Sequence, residues 1–312
     1  MNKRLISIVS PCFNEEANIE PFYKEVKDIF QTLSGKYDYE HIFIDNSSSD
    51  STVSILKKIA NKDKNIKIIV NSRNFGPSKS PYYGYLQAGG EAVIAVTSDL
   101  EEPPSLIKDF LLHWEQGYKI VVGVKAKSHD SRRMKFLRSL FYSLISRISE
   151  TDHISHFTGF SLCDRSVIDL LASFEEPDPY WRGLISELGF ERKEVEYVKP
   201  KRKHGVTKNN FYSLYDTAML GFINHSKVPL RVATFLGFII SGLSILVAIF
   251  YLLAKLFFWD TFQAGMAPLI IGLFFFASVQ LFFIGILGEY IGAVYTRVKK
   301  RPLIIEKERI NF

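Results

Sequence analysis

Acidic and small polar side chains follow three predicted strands, and their types could do chemistry. The first strand ends in SPCFNEE (10–16), the second in DNSSSDST (45–52) and the fourth in TSDLEEPP (97–104). Each motif alone is an ordinary turn or helix-capping pattern. Together they crowd carboxylates, including Asp99, Glu101 and Glu102, at one edge of a sheet, where a divalent cation or a ligand's donors would relieve the repulsion. The pattern indicates a ligand site that a cation would complete.

Five short apolar runs rich in β-branched residues alternate with helical patterns over the first 125 residues. Such alternation predicts βαβ units and a mostly parallel sheet covered by helices on both faces, which is an α/β fold. Ligands of such sheets bind beyond the carboxyl ends of the strands, where the polar motifs lie. Asp50 is a candidate N-cap for the second helix. The predicted strands are 5–10, 41–44, 66–70, 92–96 and 120–124, and the predicted helices are 18–33, 51–60 and 78–87.

The apolar residues are concentrated near the C-terminus. Residues 232–254 and 261–288 each lack any charged side chain. At about 1.5 Å per residue, each run is long enough to cross a hydrocarbon core of roughly 30 Å. Two buried core helices are the alternative, but core helices rarely run this far without a charge. We expect two transmembrane spans, at about 232–254 and 267–289.

Positive side chains flank the two runs on one side, at positions 227 and 231 before the first and at 297–301 after the second. Because Lys and Arg stay on the cytoplasmic side, both ends of the chain are expected in the cytoplasm, in a multi-pass protein of the inner or plasma membrane. The apolar run 5–9 is too short for the h-region of a signal peptide. Cys12 and Cys163 fit a reducing compartment without a disulfide framework.

Basic side chains also outnumber acidic ones in two other segments. The net charge is +6; residues 125–147 hold seven Lys or Arg against one acid, and residues 199–208 hold five and no acid. Residues 132–149 have the pattern of a basic amphipathic helix, which suits a packed surface or a membrane interface. Attraction to anionic lipid or to a phosphate ligand is favoured over a merely solvated face. Nucleic acid is disfavoured, because no recognition motif accompanies the charge.

These features divide the chain into three expected regions. Residues 1–225 would form a cytoplasmic catalytic domain with interfacial helices. Residues 226–292 would form the transmembrane domain, and residues 293–312 a basic cytoplasmic tail.

Several motifs resemble those of glycosyltransferase family 2. The order SIVSPCFNE, IDNSSSDST, RNFG (73–76) and SDLEEPP is similar to its catalytic domain, which implies the GT-A fold, a Rossmann-like arrangement. Four later motifs resemble the polyprenyl-phosphate branch, which includes dolichol-phosphate mannose synthase and bacterial undecaprenyl-phosphate glycosyltransferases. They are GFSLCDR (159–165), RKHGVTKNN (202–210), PLR (229–231) and GILGEYIG (285–292). The resemblance covers nearly the whole chain.

The resemblance implies roles for individual residues. Asp99 would be the central ligand of Mg²⁺ or Mn²⁺, and Glu101, which replaces a family Gln, would also bind the metal. Arg202 and Lys208 would clamp phosphate groups and, with these two acids, are the expected catalytic residues. Arg132 is a candidate for the acceptor side. The residues expected to line the nucleotide pocket with Asp99 are Pro11, Glu15, Asp45, Ser98 and, near the base, Asn46.

Two positions depart from the family's pattern. Thr97 stands where the family usually has the first Asp of Asp-x-Asp, and Asn46 stands where it usually has a second acid after strand two. Glu101 restores the carboxylate that is missing at Thr97, so the formal charge around the cation is unchanged. We therefore expect the chain to remain active, with donor identity and metal affinity as the properties that the departures would change.

The resemblance implies transfer of a sugar, with inversion, from a nucleotide donor such as a UDP-sugar to polyprenyl (undecaprenyl) phosphate, for modification of a cell-envelope glycan. A phosphate monoester has a second pKa of about 6 and arrives largely ionised, so this acceptor needs cationic positioning more than a dedicated base. One alternative is transfer to a hydroxyl acceptor, which would need a base. Another is a catalytically impaired homologue with a binding or assembly role. The expected partners also include the bilayer and further copies of the chain.

Overall fold

An eight-stranded sheet forms the centre of the protein. The structure is a computed structural model that describes residues 3–126, 154, 156–198, 228–257, 266–299 and 301–312. The predicted interfacial helix at 132–149 and the predicted site residues Arg132, Arg202 and Lys208 lie outside these residues.

The strand order in the sheet is β7-β5-β6-β4-β1-β2-β3-β8. β1 pairs in parallel with β2 and β4, β2 with β3, and β5 with β7; β6 is antiparallel to β4 and β5, and β8 is antiparallel to β3. The predicted, mostly parallel α/β sheet is confirmed. The strands are β1 (Arg4–Cys12), β2 (Tyr37–Asp45), β3 (Ile66–Asn71), β4 (Ala92–Ala95), β5 (Ile120–Lys125), β6 (Phe157–Asp164), β7 (Arg192–Tyr197) and β8 (Glu306–Ile310).

Helices cover both faces of the sheet, as the alternating pattern predicts. On one face pack α1 (Ile19–Thr32), α2 (Thr52–Lys62) and α4 (Ile107–Glu115), whose apolar side chains join one core cluster. On the other face pack α3 (Lys79–Leu86), α5 (Arg165–Ala172) and α6 (Trp181–Glu187). In α1 the buried residues are Ile19, Phe22, Val26 and Phe30, a helical spacing that turns one apolar stripe toward the sheet.

Local details differ modestly from the sequence-based expectations. The second helix begins at Thr52 rather than at residue 51, so its N-cap is Ser51 and not the predicted Asp50. Asp50 lies one residue earlier, and its Oδ1 accepts a hydrogen bond from Thr52 N at 3.0 Å. Each of the five predicted strands overlaps one of β1 to β5: β3, β4 and β5 agree to within one residue at each end, whereas β1 and β2 are longer than predicted, by two residues after position 10 and four residues before position 41. β6, β7 and β8 are strands that the sequence patterns did not reveal.

The C-terminal residues Glu306–Ile310 form the strand β8. β8 adds to the sheet as an edge strand, with Ile310 opposite Ile68 and Glu306 opposite Asn71. Its side chains are tied to the catalytic domain: Tyr83 Oη donates to Glu306 Oε1 at 2.9 Å. The expected basic tail at 293–312 is therefore corrected for these residues, which belong to the fold of the catalytic domain.

Two long helices precede this strand. α7 (Val228–Phe257) has 30 residues and α8 (Met266–Val298) has 33. Within the described residues, one stretch, Gly272–Val298, is long and apolar enough to cross a membrane, and the apolar stretch of α7, Val232–Val247, is shorter. None of the residues of Gly272–Val298 is buried, so this segment does not have the surroundings of a core helix. Length and composition thus support one of the two predicted spans and do not by themselves support the second, so the multi-pass arrangement stays a prediction.

Candidate active site

The polar motifs meet at one edge of the sheet because β1, β2 and β4 are parallel neighbours. Their carboxyl ends are joined by hydrogen bonds: Ser98 Oγ donates to Pro11 O at 3.0 Å, and Asn46 N donates to Cys12 O at 2.9 Å. The structure therefore brings together Pro11, Asp45, Asn46, Ser98 and Asp99, which the sequence assigned to one pocket. This edge is the place where ligands of doubly wound sheets bind.

The loops after β1 and β2 hold each other through side chains. Asn14 Oδ1 accepts from Ser49 N at 2.8 Å, and Glu15 N donates to Thr52 Oγ1 at 2.9 Å. The Glu15 carboxylate accepts from Asn18 Nδ2 at 2.7 Å, so it is fixed at the start of α1. These bonds keep the two strand-end loops in one arrangement without a ligand.

Asp45 is fully buried at the end of β2. Its Oδ1 accepts from Ser48 N at 2.9 Å, and its Oδ2 accepts from the Ser48 hydroxyl. Burial raises the pKa of Asp45, and the bonds from Ser48 oppose that rise. Burial also raises the pKa of the neighbouring Cys12 thiol, with the Asp45 carboxylate adding to the effect. The Cys12 thiol is therefore protonated at neutral pH and unsuited to act as a nucleophile.

The acid loop, residues 97–102, connects β4 to the following helix. Thr97 Oγ1 donates to Asp99 Oδ1 at 2.8 Å and lies 3.2 Å from Glu102 Oε2, so its hydroxyl bridges two carboxylates. Glu101 N donates to Asp99 Oδ1 at 3.1 Å. Thr97, the departure from the family's Asp, thus orients Asp99 instead of adding a fourth carboxylate to the loop.

Glu102 is the most deeply buried acid of this loop, with 5% of its surface exposed. Its Oε2 accepts from Thr97 N at 3.0 Å, and its Oε1 accepts from Thr158 Oγ1 at 2.8 Å. The Thr158 hydroxyl also lies 2.9 Å from Tyr197 Oη. Burial raises the pKa of Glu102 to about 7, with the charge of Asp99 adding to the rise.

Sequence reasoning gave Glu102 no separate role and missed Thr158 and Tyr197. These two residues come from β6, which inserts antiparallel beside β4, and from β7, which pairs with β5 further along the sheet. The run of acids at 101 and 102 was the one available signal, but it does not tell which of the two side chains turns inward.

Three residues at this edge have left-handed backbone conformations that side chains other than glycine adopt uncommonly. They are Asn14 with φ 54°, Ser47 with φ 65° and Leu100 with φ 58°. Each follows a different strand of the group β1, β2 and β4. Asn tolerates this region, but a leucine there is unusual, and strain of order 1–3 kcal/mol per residue is characteristic of functional sites.

The carboxylates of the acid loop are suited to bind a divalent cation, provided that a bound ligand supplies some of the remaining coordinating oxygens. Within the parts of the chain that the structure describes, no three side chains of His, Cys, Asp or Glu form a cluster that could hold a metal ion. Mg²⁺ usually takes only one or two carboxylates and completes its shell with water and substrate phosphates. Asp99 and Glu101 offer that oxygen donor set on one short loop, with Asp99 held by Thr97.

Comparisons with known proteins agree with this arrangement. Residues 7–171 match the family described as Glycosyl transferase family 2. The chain is 34% identical to the uncharacterized glycosyltransferase YkcC of Bacillus subtilis, with 96% of this chain and 92% of that protein covered. It is also 34% identical to the SfII prophage-derived bactoprenol glucosyl transferase of Shigella flexneri, with 97% of each covered.

A solved structure with a similar fold is glucosyl-3-phosphoglycerate synthase from Mycobacterium tuberculosis in complex with Mn²⁺, UDP and phosphoglyceric acid. It is 18% identical, has a TM-score of 0.46, and the match covers 70% of this chain and 76% of that one. A likeness at this level supports no assignment of ligands, so the family match and the full-length relatives carry the conclusion. The chain belongs to glycosyltransferase family 2, and it is a transferase.

Proposed function

We propose that this protein transfers a sugar, with inversion, from a nucleotide-sugar donor to polyprenyl phosphate at the inner or plasma membrane. The observation that carries the proposal is the 34% identity, over 97% of both chains, to a protein named a bactoprenol glucosyl transferase. The match includes the apolar C-terminal helices as well as the catalytic domain. A donor site at the sheet edge and an apolar helix of membrane-spanning length in one chain suit a lipid acceptor.

The donor would bind across the ends of β1, β2 and β4. Pro11, Glu15, Asp45, Asn46 and Ser98 line this edge and would accommodate the nucleotide. Asp99 and Glu101 would hold Mg²⁺ or Mn²⁺, which supplies positive charge against the departing nucleoside diphosphate. A UDP-sugar is the proposed donor, and a GDP-sugar is the competing one.

On the acceptor side, the protein would only need to position the lipid phosphate, because that group is already nucleophilic. A lipid phosphate monoester, with a second pKa of about 6, is mostly dianionic at neutral pH and needs no proton removed by the protein. Arg202 and Lys208, with Arg132 near the acceptor, would pair with phosphate oxygens and hold one of them in line with the anomeric carbon. The excess of Lys and Arg in residues 125–147 and 199–208 of the sequence supports this part of the proposal.

The position of β8 bears on how the chain crosses the bilayer. Because β8 pairs with β3, the chain after α8 lies on the same side as the catalytic domain. The end of α8 also contacts that domain, since Arg297 Nη2 lies 3.1 Å from Glu176 Oε2. If α8 crosses the membrane, the chain must cross once more between the catalytic domain and α8. α7 is the described helix in that interval, which supports a hairpin of two spans.

The topology can be tested by cysteine labelling in intact cells. We expect a cysteine at position 261 to react with a membrane-impermeant reagent from outside and a cysteine at position 301 to react only after permeabilisation. Labelling of position 301 from outside would contradict the proposed hairpin. A homo-oligomer in the membrane belongs to the proposal as well, and cross-linking of the detergent-purified protein would test it.

One observation favours a second candidate, transfer to a hydroxyl acceptor. Such a reaction needs a general base. The pKa of Glu102, which burial and the nearby charge of Asp99 raise to about 7, suits that role. Its burial and the hydrogen bonds that it accepts from Thr97 N and Thr158 Oγ1, however, turn its two oxygens toward Thr97 and Thr158 rather than toward a ligand. We therefore favour the phosphate acceptor.

The direct test is incubation of the full-length protein, purified in detergent, with undecaprenyl phosphate, Mg²⁺ and a panel of UDP- and GDP-sugars. Mass spectrometry of the extracted lipid should show one sugar added per undecaprenyl phosphate with at least one donor. No lipid-linked product with any donor, from protein that binds a nucleotide, would contradict the proposed acceptor.

A further inference from the structure

The direction of β8 fixes the edge of the sheet at which the chain from α8 arrives. β8 is antiparallel to β3, and its first residue, Glu306, lies opposite Asn71 at the carboxyl end of β3. Ser72 N, just beyond that end, donates to Ile305 O at 2.9 Å. Because β3 is parallel to β2, the chain from α8 enters the sheet at its carboxyl edge. This is the edge that bears Asp45 and the acid loop.

The segment between α5 and α6, residues 173–180, contacts the end of α8, and we call it the bridging segment. Arg297 Nη2 donates to Glu176 Oε2 at 3.1 Å. The side chain of Glu176 is 15% exposed, whereas that of Arg297 is 54% exposed. Burial raises the pKa of Glu176, and the charge of Arg297 opposes that rise. A largely buried carboxylate is destabilising without a partner, so this pair differs from an exposed salt bridge, which contributes little.

The bridging segment is also attached to the elements around the active site. Lys79 Nζ lies 2.7 Å from Asp178 Oδ1, and Lys79 is the first residue of α3. Directly after the bridging segment, the ring of Trp181 packs against that of Tyr85 of α3, with centroids 4.5 Å apart. Trp181 Nε1 donates to Ser161 Oγ of β6 at 3.2 Å. These contacts fix the position of the bridging segment relative to α3 and β6.

α8 is longer than a membrane crossing requires. About 20 residues cross a hydrocarbon core of roughly 30 Å, and α8 has 33 residues. Its first charged residue is Glu289, so a span that ends there leaves residues 290–298 to extend about 14 Å beyond the hydrocarbon. Arg297 lies near the far end of this extension, where it meets the catalytic domain. Two units that share a small interface are expected to move relative to each other unless a further contact holds them.

We propose that Arg297 and Glu176 form a clasp that sets the angle between α8 and the catalytic domain and thereby holds the active-site edge toward the membrane surface. The inference rests on the proposed function, because it takes α8 to span the membrane and the acceptor to be a lipid in that membrane. Both are positioning residues, which act through the placement of the domain on its membrane helix. The clasp favours a phosphate headgroup that is confined to the bilayer, since a dissolved acceptor can approach the site from any direction.

Two pairs of variants separate the clasp from an effect of charge alone. Arg297→Gln and Glu176→Gln each remove one charge of the clasp and leave an uncharged polar side chain. The matched controls are Lys299→Gln and Glu175→Gln, which remove the same charges from neighbouring positions of α8 and of the bridging segment. Lys299 and Glu175 are both exposed. Arg297→Lys keeps the positive charge and should retain the clasp.

The assay uses the full-length protein in liposomes with the nucleotide sugar that supports transfer best. Transfer to undecaprenyl phosphate in the liposomes is compared with transfer to geranyl phosphate dissolved in the surrounding water, and hydrolysis of the donor by water is a second reference. Arg297→Gln and Glu176→Gln should each raise the apparent KM for the embedded lipid at least ~5-fold, because the site loses its orientation toward the membrane.

The dissolved acceptor and the control variants show whether this effect is specific. The rates of both clasp variants with geranyl phosphate and with water should stay within about 2-fold of the native protein, as should all rates of Lys299→Gln, Glu175→Gln and Arg297→Lys. The double variant Arg297→Gln/Glu176→Gln should be no worse than either single variant, because each of them already opens the clasp.

An equal loss with the embedded and the dissolved acceptor would mean that the two residues act on the site itself or on the stability of the domain, and it would overturn the inference. An unchanged KM for the embedded lipid in both clasp variants, or an equal rise in the two controls, would overturn it as well. If the native protein transfers sugar to neither phosphate, the proposed function fails. Failure of the clasp alone leaves transfer by the native protein intact, so the two failures are distinct.

Discussion

Glu102 allows a quantitative test of the acid loop's geometry. Replacing it with Gln removes a charge but keeps the shape of the side chain. The Gln carbonyl can still accept from Thr97 N, and the new amide can donate to Thr158 Oγ1, which can in turn donate to Tyr197 Oη. We therefore expect Glu102→Gln to fold, and to differ from the native protein mainly in how its stability depends on pH.

The magnitude follows from the pKa of Glu102, which burial raises from 4.5 to about 7. Between these values the unfolded chain has lost the proton that the folded protein keeps, so raising the pH destabilises the native fold. The contribution is fully present below about 4.5 and is lost once the pH passes about 7. At about 1.4 kcal/mol per pKa unit, the loss amounts to about 3 kcal/mol. The stability of Glu102→Gln lacks this dependence on pH, because glutamine does not titrate.

The measurement is the melting temperature of both proteins in detergent between pH 5 and pH 7.5. The advantage of Glu102→Gln over the native protein should grow by roughly 5–10 °C across this range, the shift expected for about 2–3 kcal/mol in a domain of this size. His41, whose pKa burial lowers to about 3, has the opposite pH dependence, but it is present in both proteins and cancels in the comparison. A difference that does not change with pH would refute the raised pKa of Glu102.

Three further predictions concern the same domain. Asp99→Asn should lower the initial rate of transfer at least ~100-fold, the loss typical of a major electrostatic contribution, whereas a near-normal rate with intact Mg²⁺ dependence would exclude Asp99 as a metal ligand. Glu101→Gln should weaken Mg²⁺ binding and an added Thr97→Asp should partly restore it; strictly additive effects in this double-mutant cycle would show that the two positions are independent. Deleting residues 301–312 exposes the edge of β3 and should lower the melting temperature by at least ~5 °C; an unchanged value would mean that β8 contributes nothing to the domain.

The sequence predicted the first five strands and the helices between the first four, because each of these elements has its own local pattern of apolar residues. The alternation of strands and helices over β1 to β5 is a local signal, and parallel pairing then brings the three polar motifs to one edge. The resemblance to the family assigns Pro11, Asp45 and Ser98 to one pocket, and the structure places these residues at the same edge of the sheet. The roles given to Arg132, Arg202 and Lys208 stay predictions, because these residues lie outside the described part of the chain.

The strands that the sequence did not reveal depend on contacts that are distant along the chain. The sequence of β8 is EKERI, and so charged a segment has the composition of an exposed tail. In the structure its Glu308 forms a salt bridge with Lys57 at 2.5 Å, although the two residues are 251 positions apart in the chain. The inward turn of Glu102 depends in the same way on Thr158 and Tyr197 from β6 and β7. Propensity and periodicity describe a segment by itself, so neither could indicate these partners.

The proposed acceptor is an ionised lipid phosphate. The most direct test compares undecaprenyl phosphate with undecaprenol, at equal concentration in one detergent, with the best donor from the panel and purified full-length protein. Because the phosphate arrives ionised and the basic side chains are proposed to bind it, we predict sugar transfer to undecaprenyl phosphate and none to the alcohol. Equal transfer to undecaprenol would contradict the account and would favour a hydroxyl acceptor served by a general base.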